Sequence, residues 1–91
     1  MLFFSQIPDL NGLPNLQTLK LEDNYIESIP QNIFDPVVKS LMTLDLAGNN
    51  IQFNTKEEAD MAFDEIKKLE VLTNLSLMRN PFTKSVLGYK V

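Results

Sequence analysis

The side chains that could do chemistry in this 91-residue chain are mainly carboxylates, hydroxyls and amides. The sequence contains no histidine and no cysteine, the residues that most often act as bases, nucleophiles or metal ligands. Its serines therefore lack an imidazole that could activate them. The acidic residues Asp60, Asp64 and Glu65 are expected on a water-exposed helix face, where no cleft shifts their pKa values. We expect no enzyme activity, no cofactor and no metal site.

The charge and hydropathy patterns bear on the kind of partner. The formal net charge is −4 and the acids are spread along the chain, so the basic surface that phosphate neutralisation requires is absent. No apolar run approaches the roughly 20 residues that span a bilayer. The opening Met1-Leu2-Phe3-Phe4 is too short and too uncharged to act as a signal peptide. We expect neither nucleic acid nor a membrane as a partner.

The elements that position the polar side chains follow from a repeated apolar pattern. Three segments read leucine, two variable residues, leucine, one variable residue, leucine, two variable residues, asparagine, one variable residue, apolar residue. The matching residues are Leu16, Leu19, Leu21, Asn24 and Ile26; Leu41, Leu44, Leu46, Asn49 and Ile51; and Leu72, Leu75, Leu77, Asn80 and Phe82. Around the second and third leucines, apolar and polar residues alternate, which indicates a strand with one buried face.

This pattern resembles the leucine-rich repeat, and the resemblance extends from about Phe4 to Val91. It implies an α/β fold, a leucine-rich-repeat solenoid wound as a right-handed superhelix. A short parallel β-sheet would line its concave face, with turns and one α-helix on its convex face. It further implies that Asn24, Asn49 and Asn80 stack as a ladder that satisfies backbone groups where the chain leaves each strand. We assign these asparagines a structural role.

In such a fold the outward strand side chains line the concave face, and Ala47 is expected among them. The candidate partner-binding residues are Thr18, Lys20, Glu22, Thr43, Asp45, Asn74, Ser76 and Met78, with Asp23 and Arg79 at the edge. The face carries no aromatic residue, although aromatic residues and arginine are the usual hot spots of interfaces. We therefore expect modest affinity. For any single position, the alternative is that the residue is polar only because it faces water.

Two convex segments should differ in structure. Thr55 and Glu58 form a capping-box pattern, and apolar residues then recur at helical spacing, which predicts a helix over about 55–69. Pro30 and Pro36 forbid a long helix in the preceding repeat and predict a turn or one short helical segment. That proline-bounded stretch resembles the convex segment of extracellular repeats. Small secreted domains usually depend on disulfides, however, so the lack of cysteine favours the cytoplasm, with the nucleus as the alternative.

We treat residues 1–91 as one domain, with a partial repeat at 1–15 and repeats at about 16–40, 41–71 and 72–91. In the partial repeat, Phe4 and Ile7 have the mutual spacing of Ile26 and Ile29. The ending Gly88-Tyr89-Lys90-Val91 resembles the start of the cap that closes short-repeat intracellular leucine-rich-repeat proteins. Both solenoid ends would otherwise expose apolar core. We expect a fragment of a longer solenoid, or self-association through the uncapped ends.

The sequence favours a protein–protein interaction module that binds another protein through its concave face. The alternative is a structural spacer within a longer leucine-rich-repeat protein whose partner site lies elsewhere.

Overall fold

The computed structural model describes residues 3–81, which form three short strands, one α-helix and one 3-10 helix. The strands are β1 (Thr18–Lys20), β2 (Thr43–Asp45) and β3 (Asn74–Ser76), and they form one parallel sheet in the order β1-β2-β3. The helix α1 spans Lys56–Lys67, and the 3-10 helix spans Asp35–Val37. The predicted parallel sheet and single α-helix are confirmed. The predicted cap at 88–91 lies outside the described residues, as does Phe82.

The register of the sheet aligns the three sequence matches position by position. Leu19 pairs with Leu44 and Leu44 with Leu75, so the middle leucine of each match lies beside its counterpart. The backbone contacts continue beyond the strands: the Leu21 N–H donates to the Asp45 carbonyl at 2.8 Å, and the Leu46 N–H donates to the Ser76 carbonyl at 2.9 Å. Equivalent residues therefore occupy equivalent places, as the sequence pattern predicts.

The apolar core lies behind the sheet and is built from the inward leucines and the convex segments. Its fully buried side chains include Leu10, Ile26, Phe34, Val37, Leu41, Leu44, Leu46 and Ile51. The third match departs from the expected burial, because Leu75 is 46% exposed whereas Leu44 is 0% exposed. Edge position alone is not the reason, since Leu19 on the other edge strand, β1, is only 9% exposed. Ile7 and Leu10, which precede β1, pack in the same core as Leu19, whereas β3 is the last strand of the described residues.

The predicted asparagine ladder is present. The Asn49 side chain donates to the Leu21 carbonyl at 2.9 Å and to the Leu46 carbonyl at 3.0 Å, and its Oδ1 accepts the Ile26 N–H at 3.0 Å. Asn80 repeats this arrangement one segment later, donating to the Leu46 and Leu77 carbonyls and accepting the Ile51 N–H. Each asparagine therefore joins its own strand exit to the segment before it.

The same hydrogen-bond pattern extends to Phe4 near the start of the chain. Asn24 Oδ1 accepts the Phe4 N–H at 2.8 Å, just as Asn49 accepts the Ile26 N–H. The Phe4 carbonyl also accepts the Tyr25 N–H at 2.8 Å, as the Ile26 carbonyl accepts the Asn50 N–H. Phe4 thus occupies the backbone position of Ile26, although its side chain is exposed.

The helix α1 begins at the predicted capping box. Thr55 is the N-cap residue: its side chain accepts the Glu58 N–H at 3.1 Å, and the Glu58 carboxylate accepts the Thr55 N–H at 3.2 Å. Ala59, Ala62 and Ile66 face the core. These bounds match the predicted helix over about 55–69 to within two residues at either end.

Glu65 corrects one expectation, because it is buried rather than exposed to water. Its carboxylate accepts the Asn32 N–H at 2.9 Å and a hydrogen bond from Lys68 Nζ at 2.9 Å. Asn32 has a φ of 65° and lies in the proline-bounded convex turn. Glu65 therefore fastens α1 to the preceding convex segment, which consists of a turn and the short 3-10 helix, as predicted.

Candidate functional site

The outward side chains of the sheet form a face of three parallel rows, which we call the strand face. Its rows are Thr18, Thr43 and Asn74; Lys20, Asp45 and Ser76; and Glu22, Ala47 and Met78. The first two rows line one open depression on the molecule. The structure thus brings the candidate residues of the first two rows together on one surface, because the parallel register aligns them.

The first row offers hydrogen-bonding groups to a partner. Asn74 Nδ2 donates to Thr43 Oγ1 at 3.3 Å, so these two side chains already orient each other. Thr18 is exposed beside them on β1. A row of hydroxyl and amide groups on a sheet can exchange hydrogen bonds with water for hydrogen bonds with a polypeptide.

The third row contains a correction, because Ala47 is only 4% exposed. Its N–H donates to Asp45 Oδ1 at 3.0 Å, and its carbonyl accepts the Asp23 N–H at 2.9 Å. Its methyl group is short and lies between the longer side chains at the equivalent positions, Glu22 and Met78. Met78 is 67% exposed. Ala47 is therefore too buried to serve as a contact residue.

Two carboxylates dominate the electrostatics of the strand face. The pKa of Glu22 is raised above its ordinary value by a hydrogen bond with the Asp45 side chain, by partial burial and by the negative charge of Asp45. Lys20 lowers the pKa of Glu22 but does not outweigh these effects. Asp45 is therefore the neighbouring residue that contributes most to the raised pKa of Glu22.

An ion pair forms the edge of the strand face. Arg79 Nη1 donates to Asp23 Oδ1 at 3.1 Å, although 56 positions separate the two residues. Asp23, Gly48 and Arg79 hold equivalent places in the three segments, and all have left-handed backbone angles, with φ of 59°, 68° and 57°. A Cβ atom on Gly48 would overlap the Asp23 carboxylate and approach Arg79 Nη1 to 2.9 Å. The glycine leaves the space in which the two side chains meet.

Sequence reasoning placed Asp23 and Arg79 at this edge without predicting that they pair. The signal was present, since opposite charges occupy equivalent positions on either side of a glycine. The cluster of Glu65, Lys68 and Asn32 was also missed. Its members come from different segments, and no local spacing links Asn32 to the helix.

Within residues 3–81, no group of acidic side chains is placed to hold a metal ion. The only α-helix of this part of the chain is too short and too polar to cross a membrane.

Comparison with known proteins gives one family. A family model described as "Leucine rich repeat" matches residues 14–82, a span that contains all three asparagine-ending segments. No solved structure matches the chain significantly.

Proposed function

Because the chain belongs to the leucine-rich-repeat family, whose domains generally mediate protein–protein interaction and are generally not enzymes, we propose that it binds another protein through the strand face. The proposed contact residues are Thr18, Lys20, Glu22, Asp23, Thr43, Asp45, Asn74, Ser76, Met78 and Arg79. The observation that carries this proposal is the alignment of outward polar side chains from three strands on one continuous surface.

The backbone beneath this surface supports the proposal. The strands are paired in register, and the asparagine ladder joins the strand exits. The backbone that carries the outward side chains is therefore held in place by hydrogen bonds. Binding through groups that are already positioned avoids part of the entropy cost of association. We further propose that the segments stack as a right-handed solenoid with the strand face as its concave side. The absence of cysteine supports a cytoplasmic or nuclear location.

A second candidate function is favoured by the apolar side chains at the two edges of the described fold. Phe3 is 48% exposed and Phe4 is 49% exposed at one edge, and Leu75 is 46% exposed at the other. Apolar side chains grouped in this way mark surfaces that pack against another chain or another repeat. The chain would then serve as a spacer in a stack of repeats, or associate with a second copy.

The test is affinity capture from cell extract with quantitative mass spectrometry, using the wild-type chain and single variants. Lys20→Ala and Met78→Ala change exposed residues of the strand face, and Lys67→Ala changes an exposed lysine of α1 as the matched control. Circular dichroism would first establish that all variants fold. We expect a partner captured by the wild type and the Lys67→Ala control, but less by the two strand-face variants.

Equal capture by all four proteins would place the contact away from the strand face. Loss of capture only when Phe3 or Leu75 is replaced by a polar residue would instead support the spacer or self-association function.

A further inference from the structure

Asn11 and Gly12 form the exposed tip of a tight turn between Leu10 and Leu13. The Leu13 N–H donates to the Leu10 carbonyl at 3.2 Å, and Gly12 has a φ of 83°, the combination found in type II turns. The Asn11 N–H donates to Asp9 Oδ1 at 2.9 Å. Both tip residues are exposed, and a Cβ atom on Gly12 would meet no atom within 4 Å. Water therefore reaches the peptide bond between them.

The two groups at this tip that can react with each other are not held by hydrogen bonds. Within residues 3–81, neither the Gly12 N–H nor the Asn11 side-chain amide takes part in one. Gly12 also has no side chain that could crowd its backbone nitrogen. Asparagine deamidates most readily when its exposed amide lies beside an unhindered, unbonded peptide nitrogen of this kind.

The other asparagines of the chain do not meet these conditions. Asn80 precedes Pro81, which has no N–H. Asn74 lies within β3, donates from Nδ2 to Thr43 Oγ1 at 3.3 Å and precedes a leucine, whose branched side chain crowds the nitrogen. Asn11 is therefore the asparagine that the fold protects least. The remaining six each precede a residue whose N–H already donates a hydrogen bond, namely Leu16, Tyr25, Ile33, Asn50, Ile51 and Thr55.

We propose that Asn11 is a site of spontaneous deamidation and isoaspartate formation. The Gly12 nitrogen attacks the Asn11 Cγ carbon, the bond from Cγ to Nδ2 breaks, and ammonia leaves with the proton that the Gly12 nitrogen gives up. The product is a five-membered succinimide ring. Water then adds to either carbonyl of the ring and opens it, which gives aspartate or isoaspartate. Water is the only co-reactant, and nothing is oxidised or reduced.

The two products differ in their effect on the fold. Aspartate keeps the main chain intact and adds a negative charge beside Asp9. Isoaspartate leads the main chain through the side-chain carbon, which lengthens the turn by one carbon atom and breaks the hydrogen bond from Leu13 to Leu10. Leu10 is 1% exposed and packs in the same core as Leu19. The isoaspartate form is therefore less stable than the aspartate form.

The experiment incubates the folded full chain in mildly alkaline buffer and follows every asparagine by peptide mapping with mass spectrometry. Protein isoaspartate methyltransferase serves as the probe for isoaspartate. We expect Asn11 to deamidate at least about tenfold faster than Asn54, which is also exposed but precedes a bonded N–H. Asn11→Gln should remove most of the isoaspartate signal, because glutamine must close a larger ring. Equal rates at Asn11 and Asn54 would overturn the proposal.

The same incubation in urea separates the effect of the fold from that of the local sequence. Unfolding frees the N–H groups that follow the other asparagines, so deamidation of Asn54 should accelerate much more than that of Asn11. An equal or larger acceleration at Asn11 would mean that the turn protects it, which contradicts the proposal. The isoaspartate form, purified by ion-exchange chromatography, should unfold at a lower urea concentration than Asn11→Asp. Equal midpoints would overturn the stated difference between the two products.

Discussion

At the scale of single residues, the asparagines show how one side chain can complete the backbone hydrogen bonds of two segments. Asn49 is buried, and its amide bonds the carbonyls of Leu21, Leu46 and Ala47 and the N–H of Ile26. Leaving such buried groups without partners costs about 1–3 kcal/mol each. A leucine-rich pattern without the asparagine would therefore leave buried backbone N–H and carbonyl groups at each strand exit without hydrogen-bond partners.

We predict that Asn49→Ala lowers the free energy of unfolding by at least about 3 kcal/mol, because several buried backbone groups lose their partner together. Urea denaturation followed by circular dichroism measures the change. Asn50→Ala is the control: Asn50 is exposed, and within residues 3–81 its side chain accepts one hydrogen bond, at 3.3 Å, from Gln52. The control should stay within about 0.5 kcal/mol of wild type. Equal effects would contradict the ladder.

Gly48 allows a second prediction at this scale. Ala at this position or at Gly12 must adopt a left-handed conformation, with φ of 68° and 83° respectively, which costs about 1–2 kcal/mol. Only the Gly48→Ala methyl group also displaces the ends of the Asp23 and Arg79 side chains; at Gly12 the space is open. Because those ends can swing into solvent, the added cost should be only that of an exposed ion pair, about 0.2–1 kcal/mol.

The measurement that separates the two glycines is the dependence of stability on salt. The Asp23–Arg79 attraction is screened as salt increases, so Gly12→Ala should keep the wild-type response and Gly48→Ala should have a weaker one. Identical salt responses in the two variants would show that the ion pair does not form in solution.

At the scale of elements, the start of α1 and its buried side could be predicted from the sequence, but the burial of one of its charged residues could not. Its start was encoded locally by Thr55 and Glu58, and its buried side by alanines and Ile66 at helical spacing. The burial of Glu65 could not be predicted, because it depends on the Asn32 N–H, which lies 33 positions away in another segment. Helical periodicity predicts which side of a helix faces the core. It does not predict which polar group of another segment that side will contact.

We predict that the Lys68 interaction with Glu65 stabilises the protein at neutral pH and is lost in alkaline solution. The hydrogen bond to Glu65 raises the pKa of Lys68 above its ordinary 10.5, with burial acting in the opposite direction and Asp35 adding to the rise. A lysine whose pKa is higher in the folded state contributes its full stabilisation below the unfolded pKa and loses it as the pH rises through the folded pKa.

The test compares the unfolding free energies of wild type and Lys68→Met across neutral and alkaline pH. The difference should be constant near neutrality and should shrink above pH 10.5. Lys67→Met is the control, since Lys67 is exposed and lies 3.7 Å from an equally exposed Asp64; it should change stability little. A difference that persists unchanged into strong alkali would contradict the charged interaction.

At the scale of the whole molecule, periodicity in the sequence predicted the architecture better than it predicted the environment of individual residues. The spacing of leucines and asparagines fixed the strand register and the ladder, because every segment repeats the same backbone contacts. It could not predict that Ala47 is buried and Leu75 exposed, since both depend on what the neighbouring segments place beside them. The candidate face was predicted as a set of positions, whereas the pairing of Asp23 with Arg79 was not.

We predict that Leu44→Ala costs about 2–5 kcal/mol, because it truncates a fully buried leucine between two neighbouring strands. Leu75→Ala makes the same change at the paired position on β3, where the leucine is 46% exposed, and should cost about 1 kcal/mol. Thermal and urea denaturation measure both. Equal losses would mean that β3 is covered in solution, for example by a second copy, and the midpoint would then depend on protein concentration.

The ion pair between Asp23 and Arg79 joins the first described segment to the third and passes over the second. Adjacent strands in a sheet lie about 4.8 Å apart, so the pair connects positions that are two strand spacings, roughly 10 Å, apart. Since salt weakens this attraction, we expect higher ionic strength to weaken the link between the first and third segments.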